Sequence, residues 1–219
     1  MKVIDLDSHL VGDLENWEQT TEERWKPHLP KKLPTKENER RKTLVGNRVM
    51  VGSELGRHKV EKQEWVKPDD LTPRGRVRNM DLDGIDIAVL SPNSPALDIL
   101  WFVDDPELAA AYARAQNNFM NGYASQQPGR LMWAGVIPLQ DPKEAIKELH
   151  RSREMGSKAL NVKATPIPGR EWGIRILIRS SRSLRRPKRR LFFTTPRPAP
   201  WDTSGLPRTF SSPIWLAEL

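Results

Sequence analysis

Three short apolar runs, separated by segments of helical periodicity, constrain the fold of this chain more than any other feature. The runs cover residues 85–90, 131–137 and 158–163 and have the length of buried strands. Between them, Asp105-Pro106 and Asp141-Pro142 each place an N-cap acid before a first-turn proline, which is typical of a helix start. Strands that alternate with helices at this spacing pair in parallel, so the sequence predicts an α/β fold.

Glycines after two of the predicted helices support this division. A helix is predicted over residues 74–82, and Gly84 follows it as a C-cap signal because glycine adopts a left-handed conformation without strain. Gly156 stands in the same position after the helix that starts at Asp141. The order strand, helix, strand therefore repeats along the chain.

A fourth strand is predicted at residues 2–7, and it carries the first candidate site. Alternation along a strand predicts that Asp5, Asp7 and His9 share one face, while Ile4, Leu6 and Ser8 share the other. Carboxylate and imidazole groups near a strand end suit a divalent metal. The alternative is an ordinary hydrogen-bonded Asp-x-His pair, and the pattern alone leaves both open.

The other strand ends supply further candidates. In a (β/α)₈ barrel the chemistry lies at the carboxyl ends of the strands. Here those ends carry Asn93 and Lys163 besides Asp7 and His9. We predict that Asn93 and Lys163 contact a substrate, with a solvent-exposed position as the alternative for Lys163.

The long polar stretch after the first strand is predicted to be an insertion. Residues 15–25 are predicted to form a helix that Pro27 and Pro30 end. The charged run 30–42 is predicted to be a solvated excursion. Residues 43–51 predict a hairpin with Gly46-Asn47 at its turn.

Composition excludes several classes of protein. The chain has no cysteine, so disulfides and thiolate metal sites are excluded. No apolar run approaches membrane-spanning length and no leader is visible, so a cytoplasmic location without a membrane partner is expected. The formal charge of +8 arises entirely from residues 173–219, which hold ten basic and two acidic residues, whereas residues 1–172 hold 26 of each.

Several segments in a fixed order resemble a known family. The opening Asp5-Leu-Asp-Ser-His9, then Arg78-Asn-Met-Asp81 with Gly84-Ile-Asp86, and Pro128-Gly-Arg130 are similar to the amidohydrolase-related family. The Asp105-Pro-Glu-Leu helix start and Ile137-Pro-Leu-Gln140-Asp-Pro142 extend the resemblance, which covers residues 1–172. The similar branch contains aminocarboxymuconate semialdehyde decarboxylase and related decarboxylases and hydrolases.

The resemblance implies a fold, a reaction and a cofactor. It implies the first four units of a (β/α)₈ TIM barrel and a decarboxylase of aromatic or muconate-type acids, with a hydrolase of C–C or C–N bonds as the alternative. Asp7-x-His9 stands where the family usually has His-x-His and would hold a divalent metal, zinc favoured and manganese possible. In some relatives a lysine on strand four bridges two metals, but in this branch a substrate contact is favoured for Lys163. A small carboxylate is the implied substrate, and the intact enzyme is expected to be a homo-oligomer.

The tail at 173–219 departs from the family. The expected histidine of strand five and aspartate of strand eight are missing, and a Pro-, Arg- and Ser-rich composition cannot build barrel strands. With suitable codons, a shifted reading frame of 173–199 encodes a plausible helix, strand and His-Asp pair. We therefore expect a frameshift near Trp172, a disordered tail and a truncated, inactive chain. The rival hypothesis, a basic arm that binds nucleic acid, rests on charge alone, and no nucleic-acid partner is expected.

Overall fold

The computed structural model describes residues 1–10, 14–36, 39–40, 42–51, 68–92 and 96–161. The predictions for Asn93, Lys163 and residues 173–219 lie outside these ranges. Along the chain the elements are β1 (Ile4–Leu10), α1 (Leu14–Thr20), a 3₁₀ helix (Glu23–His28), β2 (Lys31–Leu33), β3 (Lys42–Val45), β4 (Arg48–Val51), a second 3₁₀ helix (Pro68–Leu71), α2 (Pro73–Asp83), β5 (Ile87–Pro92), α3 (Ala96–Phe102), α4 (Pro106–Ala124), β6 (Leu131–Val136), α5 (Pro142–Glu154) and β7 (Ala159–Asn161).

The four predicted strands form one parallel sheet. Its order is β1-β5-β6-β7, and each neighbouring pair runs in parallel. The α/β class and the parallel pairing predicted from the spacing are therefore confirmed. Parallel strands end at the same edge of a sheet, so the carboxyl ends of β1, β5, β6 and β7 lie along one edge.

The predicted helix signals act as expected. Thr72 accepts a hydrogen bond from the Gly75 N–H at the start of α2, and Gly84 ends that helix with φ of 72°. Asp105 caps α4 by accepting from Glu107 and Leu108, and Asp141 caps α5 by accepting from Lys143. These caps satisfy N–H groups that have no partner within the helix.

The two faces of the sheet bury different apolar groups. On one face, Ala88, Leu90 and Trp133 pack with Met80 of α2 and Met120 of α4 in one buried cluster. A second cluster holds side chains that alternate with these along the strands, namely Val89, Ala134 and Ala159, with Ile4, Leu6 and Met132 against it. The sheet is thus apolar on both faces, as is usual for parallel strands.

The segment predicted as an insertion forms a smaller sheet. Strands β2, β3 and β4 pair antiparallel, with Gly46 in a left-handed turn conformation (φ 60°) between β3 and β4, which confirms the hairpin. Two local predictions are wrong. Helix α1 ends at Thr20, and Pro27 lies inside a 3₁₀ helix. Lys31–Leu33, part of the charged run, form a strand because they pair with β3.

The end of β6 is held by side chains of the helices behind it. Asn117 of α4 donates to the Val136 carbonyl (2.9 Å) and accepts from the Val136 N–H (2.8 Å). Its amide also donates to Glu148 of α5 (2.6 Å), and Arg151 donates to the same carboxylate at 2.7 Å. A side chain thus gives the last residue of β6 the two hydrogen bonds that a neighbouring strand would supply.

Among the described residues, no helix is both long enough and apolar enough to cross a membrane.

Candidate functional site

A register shift in β1 decides which side chains reach the candidate site. Asp5 pairs with Ala88, but Ser8 pairs with Leu90 and His9 with Ser91, so β1 has one more residue than β5 between these points. Residues paired across parallel strands share a face, so Ser8 turns toward the helix side with Leu90 and His9 lies on the opposite face.

The side chain of Asp5 belongs to this bulge. Its Oδ1 accepts a hydrogen bond from the Asp7 N–H at 2.9 Å, a local bond that competes with the strand ladder. Asp5 is on the side of Ala88, away from His9. The predicted common face of Asp5, Asp7 and His9 is therefore wrong, because strict alternation does not survive a bulge.

Asp7 and His9 nevertheless remain close to each other. His9 Nδ1 lies 3.8 Å from Asp7 Oδ1 and 3.2 Å from the Asp7 backbone oxygen. The Asp7 side chain is 76% exposed and that of His9 is 42% exposed. When Nδ1 carries the proton it donates to the Asp7 carbonyl, and Nε2 then keeps its lone pair for another ligand.

This pair fits part of a divalent metal site. A carboxylate and an imidazole are suitable donors for zinc or manganese, and a backbone hydrogen bond at one ring nitrogen is the usual way to orient the other toward a metal. The Asp7 carboxylate lies on the Nδ1 side of the ring, but its exposure leaves it free to turn. Within the described ranges, no group of three or more His, Cys, Asp or Glu side chains could hold a metal, so an ion at the Asp7–His9 pair would take its remaining ligands from solvent or from residues outside these ranges.

Arg76 of α2 is a residue of this site that sequence reasoning missed. Its guanidinium donates to Ser8 Oγ (3.0 Å) and to the His9 carbonyl (2.8 Å). A single Arg in a helix pattern carries no sign of this role. Only the bulge, which turns Ser8 toward α2, brings the two strand residues within its reach.

Polar groups also follow the neighbouring strands. Ser91 at the end of β5 and Asn161 at the end of β7 are buried, and Asn161 Nδ2 donates to the Ala134 carbonyl at 3.2 Å. Gln140, beyond β6, donates to the Leu100 and Val103 carbonyls at 2.8 Å each and thereby fixes the α3 turn. Asn93 and Lys163, the predicted substrate contacts, lie outside the described residues.

Curated relatives identify what the chain resembles. A gamma-resorcylate decarboxylase from Polaromonas sp. (strain JS666 / ATCC BAA-500) is 38% identical over 82 residues, which cover 37% of this chain and 24% of that protein. A gamma-resorcylate decarboxylase from Rhizobium radiobacter is 34% identical over 76 residues, or 35% of this chain and 22% of that protein. The amidohydrolase-related resemblance is confirmed. The matched segment spans about a quarter of the length of these relatives, which are enzymes.

A solved structure supports the fold, and a second has a weaker similarity. An amidohydrolase from Mycobacterium avium subsp. paratuberculosis K-10 is similar with a TM-score of 0.55 and 20% identity, over 76% of this chain and 50% of that one. A dihydroxybenzoic acid decarboxylase from Polaromonas sp. JS666, solved with bound manganese, has 23% identity and a TM-score of 0.43, over 75% and 39% of the two chains. No family model matches the chain.

Proposed function

We propose that this chain is the N-terminal part of a metal-dependent decarboxylase that acts on aromatic or muconate-type carboxylic acids. The observation that carries the proposal is the 38% identity over 82 residues to a gamma-resorcylate decarboxylase. The Asp7–His9 pair at the carboxyl end of a parallel strand supports it, since this is where barrel enzymes assemble their sites. A small carboxylate such as gamma-resorcylate is the proposed substrate.

Asp7 and His9 are the proposed metal ligands of this chain. Asp7 and His9 would hold a divalent ion, which would supply Lewis-acid chemistry toward a carboxylate substrate when bound. When His9 Nδ1 carries the proton and donates it to the Asp7 carbonyl, Nε2 is available to a metal, and the exposed Asp7 carboxylate adds a negative charge that favours a cation. Zinc is the proposed ion and manganese the alternative, because both accept mixed nitrogen and oxygen ligands.

The rest of the architecture is part of the same proposal. The parallel sheet of β1, β5, β6 and β7 would be the first half of a (β/α)₈ barrel, with residues 1–172 as the family-like domain. Asn93 and Lys163, which follow β5 and β7, would contact the substrate. Residues 173–219 would be an out-of-frame tail, the chain as written would be inactive, and the intact enzyme would be a cytoplasmic homo-oligomer.

Sequencing of the coding DNA is the first test of the proposed frameshift. Resequencing from the codon for Pro166 to well past that for Leu219 is expected to show an open shifted frame that encodes further strand–helix units. A shifted frame that closes within a few codons, with the written frame confirmed, would contradict the frameshift and leave a basic tail to be explained.

Activity is then measured on the protein made from the restored frame. Loaded with manganese or zinc, it is expected to convert gamma-resorcylate to carbon dioxide and resorcinol in equal amounts. An Asp7→Asn, His9→Asn double variant should abolish this conversion, whereas His150→Asn, a substitution of a half-buried histidine in α5, should not. Turnover that survives loss of both ligands would contradict the metal assignment.

The runner-up is a hydrolase of the same superfamily. A hydrolase is the second candidate because a metal held at the end of β1 would serve equally well to activate water. Product analysis separates the two functions, since a hydrolase consumes water and releases an acid together with an amine or a second carbon fragment, without carbon dioxide.

A further inference from the structure

Arg76 is placed unlike the other arginines of α2. Arg74 is exposed, and Arg78 pairs with Asp69 (2.7 Å) and Asp70 (2.5 Å) at the surface. Arg76 instead reaches into the sheet, where its Nε is buried without a hydrogen-bond partner in the described part of the chain. Arg76 as a whole is half-buried, and the two hydrogen bonds to β1 stabilise its charged group there.

Those two bonds fall on consecutive residues directly after the bulge. Ser8 contributes its side-chain oxygen and His9 its backbone oxygen, at 3.0 and 2.8 Å. A bulged strand has neighbouring registers available, and a slip by one residue exchanges the faces of Ser8 and His9. Holding Ser8 on the helix side therefore holds the His9 imidazole on the other face.

The guanidinium is itself fixed from the helix side. Tyr123 of α4 lies beside it, and the Tyr123 hydroxyl donates to the Leu71 carbonyl at 2.9 Å. Burial raises the pKa of Tyr123, and the neighbouring Arg76 opposes that rise. Arg76 thus links α2 and α4 to the end of β1 through a planar group whose two nitrogens reach two acceptors at once.

We propose that Arg76 is a positioning residue for the metal site, which sets the register of Ser8 and His9 after the bulge and so fixes the face of β1 on which the His9 ring would hold an ion. This inference rests on the proposed function of Asp7 and His9. It assigns to α2 a role in metal affinity that differs from a role in stability alone.

Cobalt titration of the full chain tests the inference. The dissociation constant of Co²⁺ and its visible absorption spectrum are measured at a temperature where circular dichroism shows each variant folded. Arg76→Leu is expected to weaken Co²⁺ binding about ten-fold, the lower end of what the loss of an orienting partner costs, and to change the spectrum. Arg76→Lys, which can reach one acceptor at a time, should restore part of the affinity.

Matched variants separate positioning from stability. Arg74→Leu makes the same substitution at an exposed position two residues away and should bind Co²⁺ like the parent chain. Ser8→Ala removes one of the two acceptors and should weaken binding less than Arg76→Leu, so it serves where Arg76→Leu does not fold.

The outcomes distinguish this inference from the function on which it rests. If Arg76→Leu melts lower but binds Co²⁺ with the parent's affinity and spectrum, Arg76 is only structural and the inference is overturned. If Arg76→Leu does not fold and Ser8→Ala binds Co²⁺ with the parent's affinity, the inference is likewise overturned. If the parent chain itself binds no Co²⁺, the proposed function fails and takes the inference with it.

Discussion

Replacing Asn117 by leucine should strongly destabilise the fold. Asn117 is fully buried and makes three side-chain hydrogen bonds, two to the Val136 backbone and one to Glu148. Leucine has a similar size but neither donor nor acceptor. The substitution therefore tests the claim that a helix side chain satisfies the backbone N–H and C=O of Val136 at the end of β6.

The magnitude follows from the groups left without partners. Val136 is 0% exposed, so its N–H and C=O would both remain buried and unsatisfied, at about 1–3 kcal/mol each. Glu148 loses one bond but keeps Arg151 at 2.7 Å. Added apolar contact from leucine returns about 1–2 kcal/mol. We expect a net loss of roughly 1–4 kcal/mol from the free energy of unfolding, a large share of a typical domain's stability.

Urea denaturation of the full chain, followed by tryptophan fluorescence, measures this loss. The midpoint should fall while the slope stays constant, because the same surface is exposed on unfolding. Asn121→Leu on the same helix is the control, since Asn121 makes no side-chain hydrogen bond to described residues and should change stability by less than about 1 kcal/mol. Equal midpoints for Asn117→Leu and the parent chain would refute the reasoning.

Three further results are expected from single substitutions. Gly84→Ala should lower the free energy of unfolding by about 1 kcal/mol because Gly84 has φ of 72°. Gly122→Ala inside α4 should raise that free energy by roughly 0.5–1 kcal/mol, because alanine favours a helix more than glycine does. Urea midpoints that move in the same direction for both variants would contradict this. Burial acts to raise the pKa of Glu22, but bonds from Arg114 and Arg24 outweigh it and leave that pKa below its usual 4.5. The Glu22–Arg114 pair should therefore stabilise the fold above about pH 4.5 and lose this effect as the pH falls further. Glu22→Gln should be less stable than the parent at pH 7 by under about 1 kcal/mol, since the site is half exposed, and the two should converge in acid; a difference that persists at pH 3 would count against it.

Local sequence signals accounted for α2, α4, α5 and the main sheet, but not for α3 or the end of α1. The acid–proline pairs at 105–106 and 141–142 and the glycine at 84 act through short-range bonds and backbone conformation, so they can be recognised without knowing the fold. The strand Lys31–Leu33 could not be recognised in this way. Its charged residues pair with β3, and that partner, rather than intrinsic preference, decides its conformation.

The candidate site was predictable in composition but not in geometry. Asp7 and His9 were identified from residue type and position, and they lie together. The face on which Asp5 lies and the role of Arg76 depend on one extra residue in β1, at a point where the Asp5 side chain accepts a hydrogen bond from the Asp7 N–H. Alternation along a strand gives no warning of such a bulge.

Manganese binding by the full chain tests the central claim most directly. Free Mn²⁺ is followed by electron paramagnetic resonance as the chain is titrated, and the parent is compared with Asp7→Asn, His9→Asn and His150→Asn. We predict that the parent and His150→Asn bind one Mn²⁺ with equal affinity and that the Asp7 and His9 variants each lose at least ten-fold. Equal binding by all four proteins, or binding by none, would contradict a metal site at the end of β1.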